Sequence, residues 1–201
     1  QKYGAEVHAG DLSVAAINEW VDSNTKGRIK KLLEQDDPSI VTYLINAMTF
    51  DAEWASPYEP QSCSEGTFHA SDGTEQTVTY LSGEERGYLE VAGATGFVKH
   101  YSGGRYSFAG LLPAEGSTPE DLLEAICNPQ SKTVYTRMPK FTAATTAELK
   151  PVLERMGMQA AFTDAADFSL LSDTPLKIDA VQQKTYLQVD ESGTIGAAVT
   201  S

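Results

Sequence analysis

The sequence predicts a single mixed α+β domain, and three observations carry that prediction. Segments with apolar residues at helical spacing are interleaved with short β-branched and aromatic runs bounded by turn residues. The run Ile40 to Phe50 is apolar on both of its alternating faces, the pattern of a central strand covered on each side. The chain ends on eight residues, Thr194 to Ser201, without a charge or a proline, although 21% of the whole is charged. Small and β-branched residues of this kind suit a strand crowded on both sides. A flexible tail is the other reading of the same residues.

Taken in order, Ser13 is placed to cap a helix in which Val14, Ile17 and Val21 recur at helical spacing, with Trp20 on the flank. Asn24 to Gly27 supplies its stop. A short segment with Ile29, Leu32 and Leu33 follows, broken by Asp36-Asp37-Pro38. The strand over Ile40–Phe50 holds one amide, Asn46, and burying it unpaired would cost about 1–3 kcal/mol, so it calls for a partner. Beyond Trp54 the pattern gives short strands at 66–70, 76–81, 87–91, 96–101 and 106–112, with turns at Asp72-Gly73 and Gly103-Gly104. Thr118-Pro119-Glu120 opens a helix through Ile126. A strand over 133–138, a helix over 146–156 ended by Gly157, and a final strand over 176–189 complete the series. There is no internal repeat, low-complexity tract or clear linker.

Composition narrows the function. A net charge of −13 and a pI near 4.5 argue against nucleic acid, which requires clustered cations. Lys26, Arg28, Lys30 and Lys31 form a basic cluster that reads as a solvated patch. No apolar run approaches the roughly 18 residues of a membrane span. Gln1 to Val7 reads as the middle of a protein and not as a signal peptide. Cys63 and Cys127 lack metal-type spacing and read as two free thiols.

Catalytic chemistry finds little support. His8, His69 and His100 are scattered without a motif around any of them, and neither a nucleophile elbow nor a phosphate-cradling glycine loop is present. Gly103-Gly104 reads as a hairpin turn. Asp164 and Asp167 are close in sequence, but acid–base work needs carboxylates that converge in space. The chain is therefore not expected to be an enzyme, and no metal or cofactor is expected.

Five blocks in order resemble the serpin family of serine protease inhibitors. They are Ile17-Asn18-Glu19-Trp20-Val21 with Thr25 to Ile29; Leu44 to Trp54; Met138-Pro139-Lys140-Phe141; Leu153 to Met158 with Ala161-Phe162 and Ala166 to Ser169; and Lys184 to Ser201, which contains the Glu-x-Gly-Thr hinge. The resemblance implies a serpin fold, a large mixed β-sheet plus two smaller sheets with surrounding helices. Residues 1–201 would be one partial domain ending in the reactive-loop hinge at about 190–201. It also implies segments before Gln1 and after Ser201, supplied as separate chains, without which this portion would be poorly soluble. The scissile bond would lie beyond Ser201.

The implied function is covalent, suicide-type inhibition of a serine protease, with cysteine proteases as the other class. The cleaved loop would insert into the large sheet and distort the trapped enzyme. The hinge residues are Glu191, Gly193, Thr194, Ile195, Gly196, Ala197, Ala198, Val199 and Thr200. Alternation puts Thr194, Gly196, Ala198 and Thr200 on one face, which the family pattern assigns to the interior, and Ile195, Ala197, Val199 and Ser201 on the other. Gly193 would give the backbone freedom to fold over. Trp54, Asn46 and Gln183 would form the region where the sheet opens. Gln183 stands where the family has a histidine partner for the Asn46 amide, so that pair would not titrate near neutral pH. The resemblance further implies a secreted protein with neither membrane nor nucleic acid as a partner. A non-inhibitory serpin with a carrier, chaperone or storage role is the alternative, disfavoured by the small, uncharged hinge.

Overall fold

The computed structural model describes residues 13–201 apart from 38, 41, 71 and 92, and leaves the side chains of 119 and 121 undescribed. His8, Pro38 and Val41, used above, lie outside the described residues. The first elements are α1 (Val14–Asn24), β1 (Asn46–Glu53), β2 (Cys63–His69), β3 (Glu75–Val91), β4 (Ala94–His100) and β5 (Ser107–Leu112). They are followed by α2 (Pro119–Cys127), β6 (Gln130–Pro139), β7 (Phe141–Glu148), α3 (Lys150–Arg155), β8 (Gln182–Val189) and β9 (Gly193–Thr200). One sheet has four strands in the order β1-β9-β8-β7; the other has five, β2-β3-β4-β5 with β6 also paired to β3. The chain divides into two compact units, residues 1–49 with 143–187 and 196–201, and residues 50–142 with 188–195.

In the first unit the helix forms where its periodicity predicts. The Ser13 hydroxyl accepts the Ala16 N–H at 3.3 Å, and Ile17 and Val21 are buried. Thr25 closes the helix: its hydroxyl donates to the Val21 carbonyl at 2.8 Å and accepts the Ile29 N–H at 3.1 Å. Gly27 then adopts a φ of +75°, a left-handed conformation that glycine takes without steric penalty. Asn18 ties the irregular stretch that follows to the helix, its Oδ1 accepting the Leu32 and Leu33 N–H groups at 2.7 and 3.0 Å. These ties put Ile29 and Leu32 beside Val21, where they form a core with Ala197 and Val199.

Three expectations are corrected here. The strand expected from Ile40 begins at Asn46, and neither face is covered along its whole length: Ala47 and Thr49 are half-buried on one face, then Phe50 and Ala52 on the other, and Met48 is 63% exposed. Residues 141–148 are strand β7, and the helix expected over 146–156 shrinks to α3. β-branched Thr142, Thr145 and Thr146 favour the extended chain, and Pro151 fits only a first helical turn. The final strand starts at Gln182 and not at Leu176.

In the second unit, the strands expected at 76–81 and 87–91 are one strand of 17 residues, β3. It survives a register shift between Arg86 and Tyr88 because Gly87 takes a φ of +137° there. Its first part pairs with β2, its middle with β6 and its end with β4, so what would have been two small sheets share one strand. The Asp72-Gly73 turn forms, with the Asp72 carboxylate accepting the Thr74 N–H at 2.9 Å. Leu81, Leu89, Trp54, Tyr58 and Tyr101 are buried in this unit.

Candidate functional site

The uncharged end of the chain is strand β9, the second arm of an antiparallel hairpin with β8. At the open end of the hairpin Gln182 and Ser201 exchange backbone hydrogen bonds of 2.8 and 2.9 Å; at the turn Asp190 N–H donates to the Gly193 carbonyl at 3.0 Å. The Asp190 carboxylate organises the turn by accepting the Ser192 and Gly193 N–H groups at 2.8 and 3.1 Å. On its other side β9 neighbours β1, so the strand stands inside the sheet. Gly193 is needed there for close approach and not for conformational freedom: a Cβ would be driven into the Ala52 carbonyl.

The burial of β9 departs from the expected parity. Thr194 is 3% exposed, but Gly196, Ala198 and Thr200 are half-buried, as is Ile195. Ala197 and Val199, assigned above to the other face, are 5% and 0% exposed. The apolar surface of Val21, Ile29 and Leu32 covers them. That helix-plus-segment cover decides which face of β9 is dry along 196–200.

Around the turn between β8 and β9, three successive carbonyls are taken by N–H donors from one short stretch. Trp54 Nε1–H donates to Asp190 O, Tyr58 N–H to Glu191 O and Trp54 N–H to Ser192 O, each at 2.9 Å. Lys140 Nζ pairs with Glu191 at 2.7 Å. The hydrogen bond from Lys140 holds the Glu191 carboxyl below its ordinary range, and the same bond raises Lys140. Beneath Trp54 and Tyr58 lies the buried Lys99 ammonium, paired with Glu85, 4.2 Å from the Tyr58 ring centroid and 5.6 Å from that of Trp54. Tyr101 stacks on Trp54 with centroids 4.6 Å apart and donates its hydroxyl to Thr194 Oγ1 at 2.7 Å.

The expected Asn46–Gln183 pair does not form. Asn46 is exposed, and Gln183 donates to Thr200 Oγ1 at 3.4 Å, across the hairpin. The strand order gives the reason. With β9 between them, β1 and β8 are two strands apart, roughly 10 Å at the usual spacing, too far for an amide pair.

The other candidates do not converge. His69 pairs with Glu75 at 3.1 Å, His100 Nδ1 lies 2.8 Å from the Ser107 hydroxyl, and Asp164 pairs with Lys177 at 2.8 Å. Asp167 accepts the Ser169 N–H at 3.1 Å in a local turn. Cys63 and Cys127 are free thiols. Among the described residues no group of His, Cys, Asp and Glu could hold a metal ion. Sequence reasoning missed Tyr101, Lys99 and Glu85 as neighbours of the hinge, because only the fold brings them to a strand more than 90 residues away. Lys140 was visible inside a motif, without its carboxylate partner.

The second arm of this hairpin is an interior strand of the four-stranded sheet, between β1 and β8. A sequence model of the family "Serpin (serine protease inhibitor)" matches residues 3–201, and the chain belongs to that family. It is 30% identical to thyroxine-binding globulin of Bos taurus, over 96% of this chain and 51% of that protein. It is 32% identical to plasminogen activator inhibitor 1 of Sus scrofa, over 92% of this chain and 51% of that protein. The chain thus spans about half the length of these relatives.

Among solved structures, it is similar to the thermophilic serpin tengpin in two states. The latent state matches 98% of this chain and 58% of tengpin's with a TM-score of 0.90 at 38% identity. The native state matches 90% of this chain and 50% of tengpin's, with 0.78 at 36%.

Proposed function

We propose that this chain is the sheet-and-hinge part of a protease inhibitor that traps a serine protease by inserting its cleaved loop as a new strand. The observation that carries the reading is the position of β9, flanked by β1 and β8 in the four-stranded sheet. Insertion of a serpin loop is an established case of strand addition that releases stored strain. The strand's composition suits it. Entry of Thr194 to Thr200 buries no ion, and its fully buried side chains are only Thr194, Ala197 and Val199, whereas a buried unpaired charge costs several kcal/mol. The better match to latent than to native tengpin supports the same reading.

Similarity to thyroxine-binding globulin favours a second reading, a non-inhibitory carrier. The identities, 30% and 32%, do not separate carrier from inhibitor. The small, uncharged hinge supports inhibition over the carrier reading. Secretion and a target of the serine class belong to this proposal.

The test is Thr194→Arg in the protein that carries this segment, mixed with serine proteases of differing specificity. A guanidinium forced into a site that is 3% exposed should stall insertion, so the variant is cleaved as a substrate and covalent complex disappears. Complex yields equal to those of the parent would refute insertion as the mechanism.

A further inference from the structure

We propose that Tyr101 positions the hinge strand by reading the hydroxyl of Thr194, and so selects a hydroxyl-bearing residue at that buried position of β9. The inference rests on the reading of β9 as an inserted strand. Tyr101 is 4% exposed and its ring is held from two sides, stacked on Trp54 at an interplanar angle of 11° and edge-on to Phe50 with centroids 5.1 Å apart. The ring therefore cannot swing its hydroxyl to a new partner without breaking aromatic contacts. Among the described residues Thr194 Oγ1 is the acceptor it finds, at 2.7 Å. Burial raises the Tyr101 phenol above its ordinary value of 10.0, so it stays protonated and able to donate through the neutral range.

Thr194 is equally enclosed, and Val189, opposite it on β8, is fully buried. A residue without a hydroxyl at 194 would leave the phenol as a buried donor with nothing to bond, a loss larger than the worth of the bond itself. Sites built around a hydroxyl reject analogues that lack it far more strongly than apolar pockets reject a missing methyl group. The contact also depends on state. It exists only when β9 is in the sheet, so its whole free energy falls on the inserted arrangement and shifts the population toward it. The alternation that makes the strand small and uncharged permits entry; Tyr101 makes entry specific.

The experiment is residue-resolved amide hydrogen exchange on the loop-cleaved protein that carries this segment and on its Tyr101→Phe, Thr194→Ser, Thr194→Val and Tyr101→Phe/Thr194→Val double variants. Tyr101→Phe and Thr194→Val should each speed exchange at Thr194, Ile195 and Gly196 by roughly tenfold, the size expected for one buried hydrogen bond. Exchange in β3 and β4 should stay within twofold, Thr194→Ser should match the parent, and the double variant should be no faster than either single one. A silent Tyr101→Phe, a serine variant as fast as the valine one, or additive effects would overturn the role of Tyr101 while leaving β9 protected and the insertion reading intact. Loop-like exchange along 193–200 in the unsubstituted cleaved protein would overturn both.

Discussion

The two ends of β9 are held by different physics. The turn that leads into β9 and its first residues, 190–194, take polar contacts: the Trp54 and Tyr58 N–H groups on the carbonyls of 190–192, the Tyr101–Thr194 bond and the Lys140–Glu191 pair. Residues 196–200 have Ala197 and Val199 in an apolar core with Val21, Ile29 and Leu32, and a side-chain hydrogen bond there joins Gln183 to Thr200. Hydrogen bonds are directional and carry modest net free energy, whereas apolar burial is larger and indifferent to register in detail. The difference teaches a division of labour. On the proposed insertion reading, the first end would select the strand and set where it starts, and the far end would supply apolar stabilisation once the strand is there.

Thr194→Arg should break the hinge end outright and has the largest expected effect of any change in β9. At the far end, Leu32→Ala should lower stability by about 3 kcal/mol, the transfer and cavity loss for a fully buried leucine. Urea denaturation measures it, and amide exchange should show the loosening at Ala197 and Val199 and not at Thr194. Equal loosening at Thr194 would mean the ends do not act separately.

The smallest effect belongs to the Lys140–Glu191 pair, whose side chains are 40% and 45% exposed. Lys140→Met should cost about 0.5 kcal/mol, and 1 M salt should erase the difference. Its pH dependence has a definite sign. Glu191 is depressed below its ordinary 4.5, so its contribution is present above that value and is lost as pH falls through the depressed one. Lys140 is raised above 10.5, so its contribution holds below that value and is lost as pH rises through the raised one. A stability difference between parent and variant that is flat from about pH 5 to pH 10 is expected. A step near neutrality would assign the pair's effect to another group.

Much of the fold was legible in local signals: the Ser13 cap, the 3.6-residue apolar spacing of α1, the glycine turns and the uncharged terminal strand. The family was legible in five short motifs. Long-range consequences were not. Which face of β9 is dry depends on the cover provided by Leu32 and Ile29, and those residues have no regular secondary structure to announce it. The Asn46–Gln183 expectation failed because a pairwise motif cannot reveal a third strand standing between its members. The helix expected over 146–156 failed because its apolar spacing competed with three threonines and a proline whose local preferences prevailed.

The claim that β9 is an interior strand, and not merely the free arm of a hairpin, is tested most directly by interstrand nuclear Overhauser effects in the isotope-labelled, loop-cleaved protein that carries this segment. Contacts from Ala197 and Ala198 backbone protons should run to both β8 and β1, with Tyr186 on one side and Ala47 or Met48 on the other. Contacts to β8 alone, with none to β1, would contradict it.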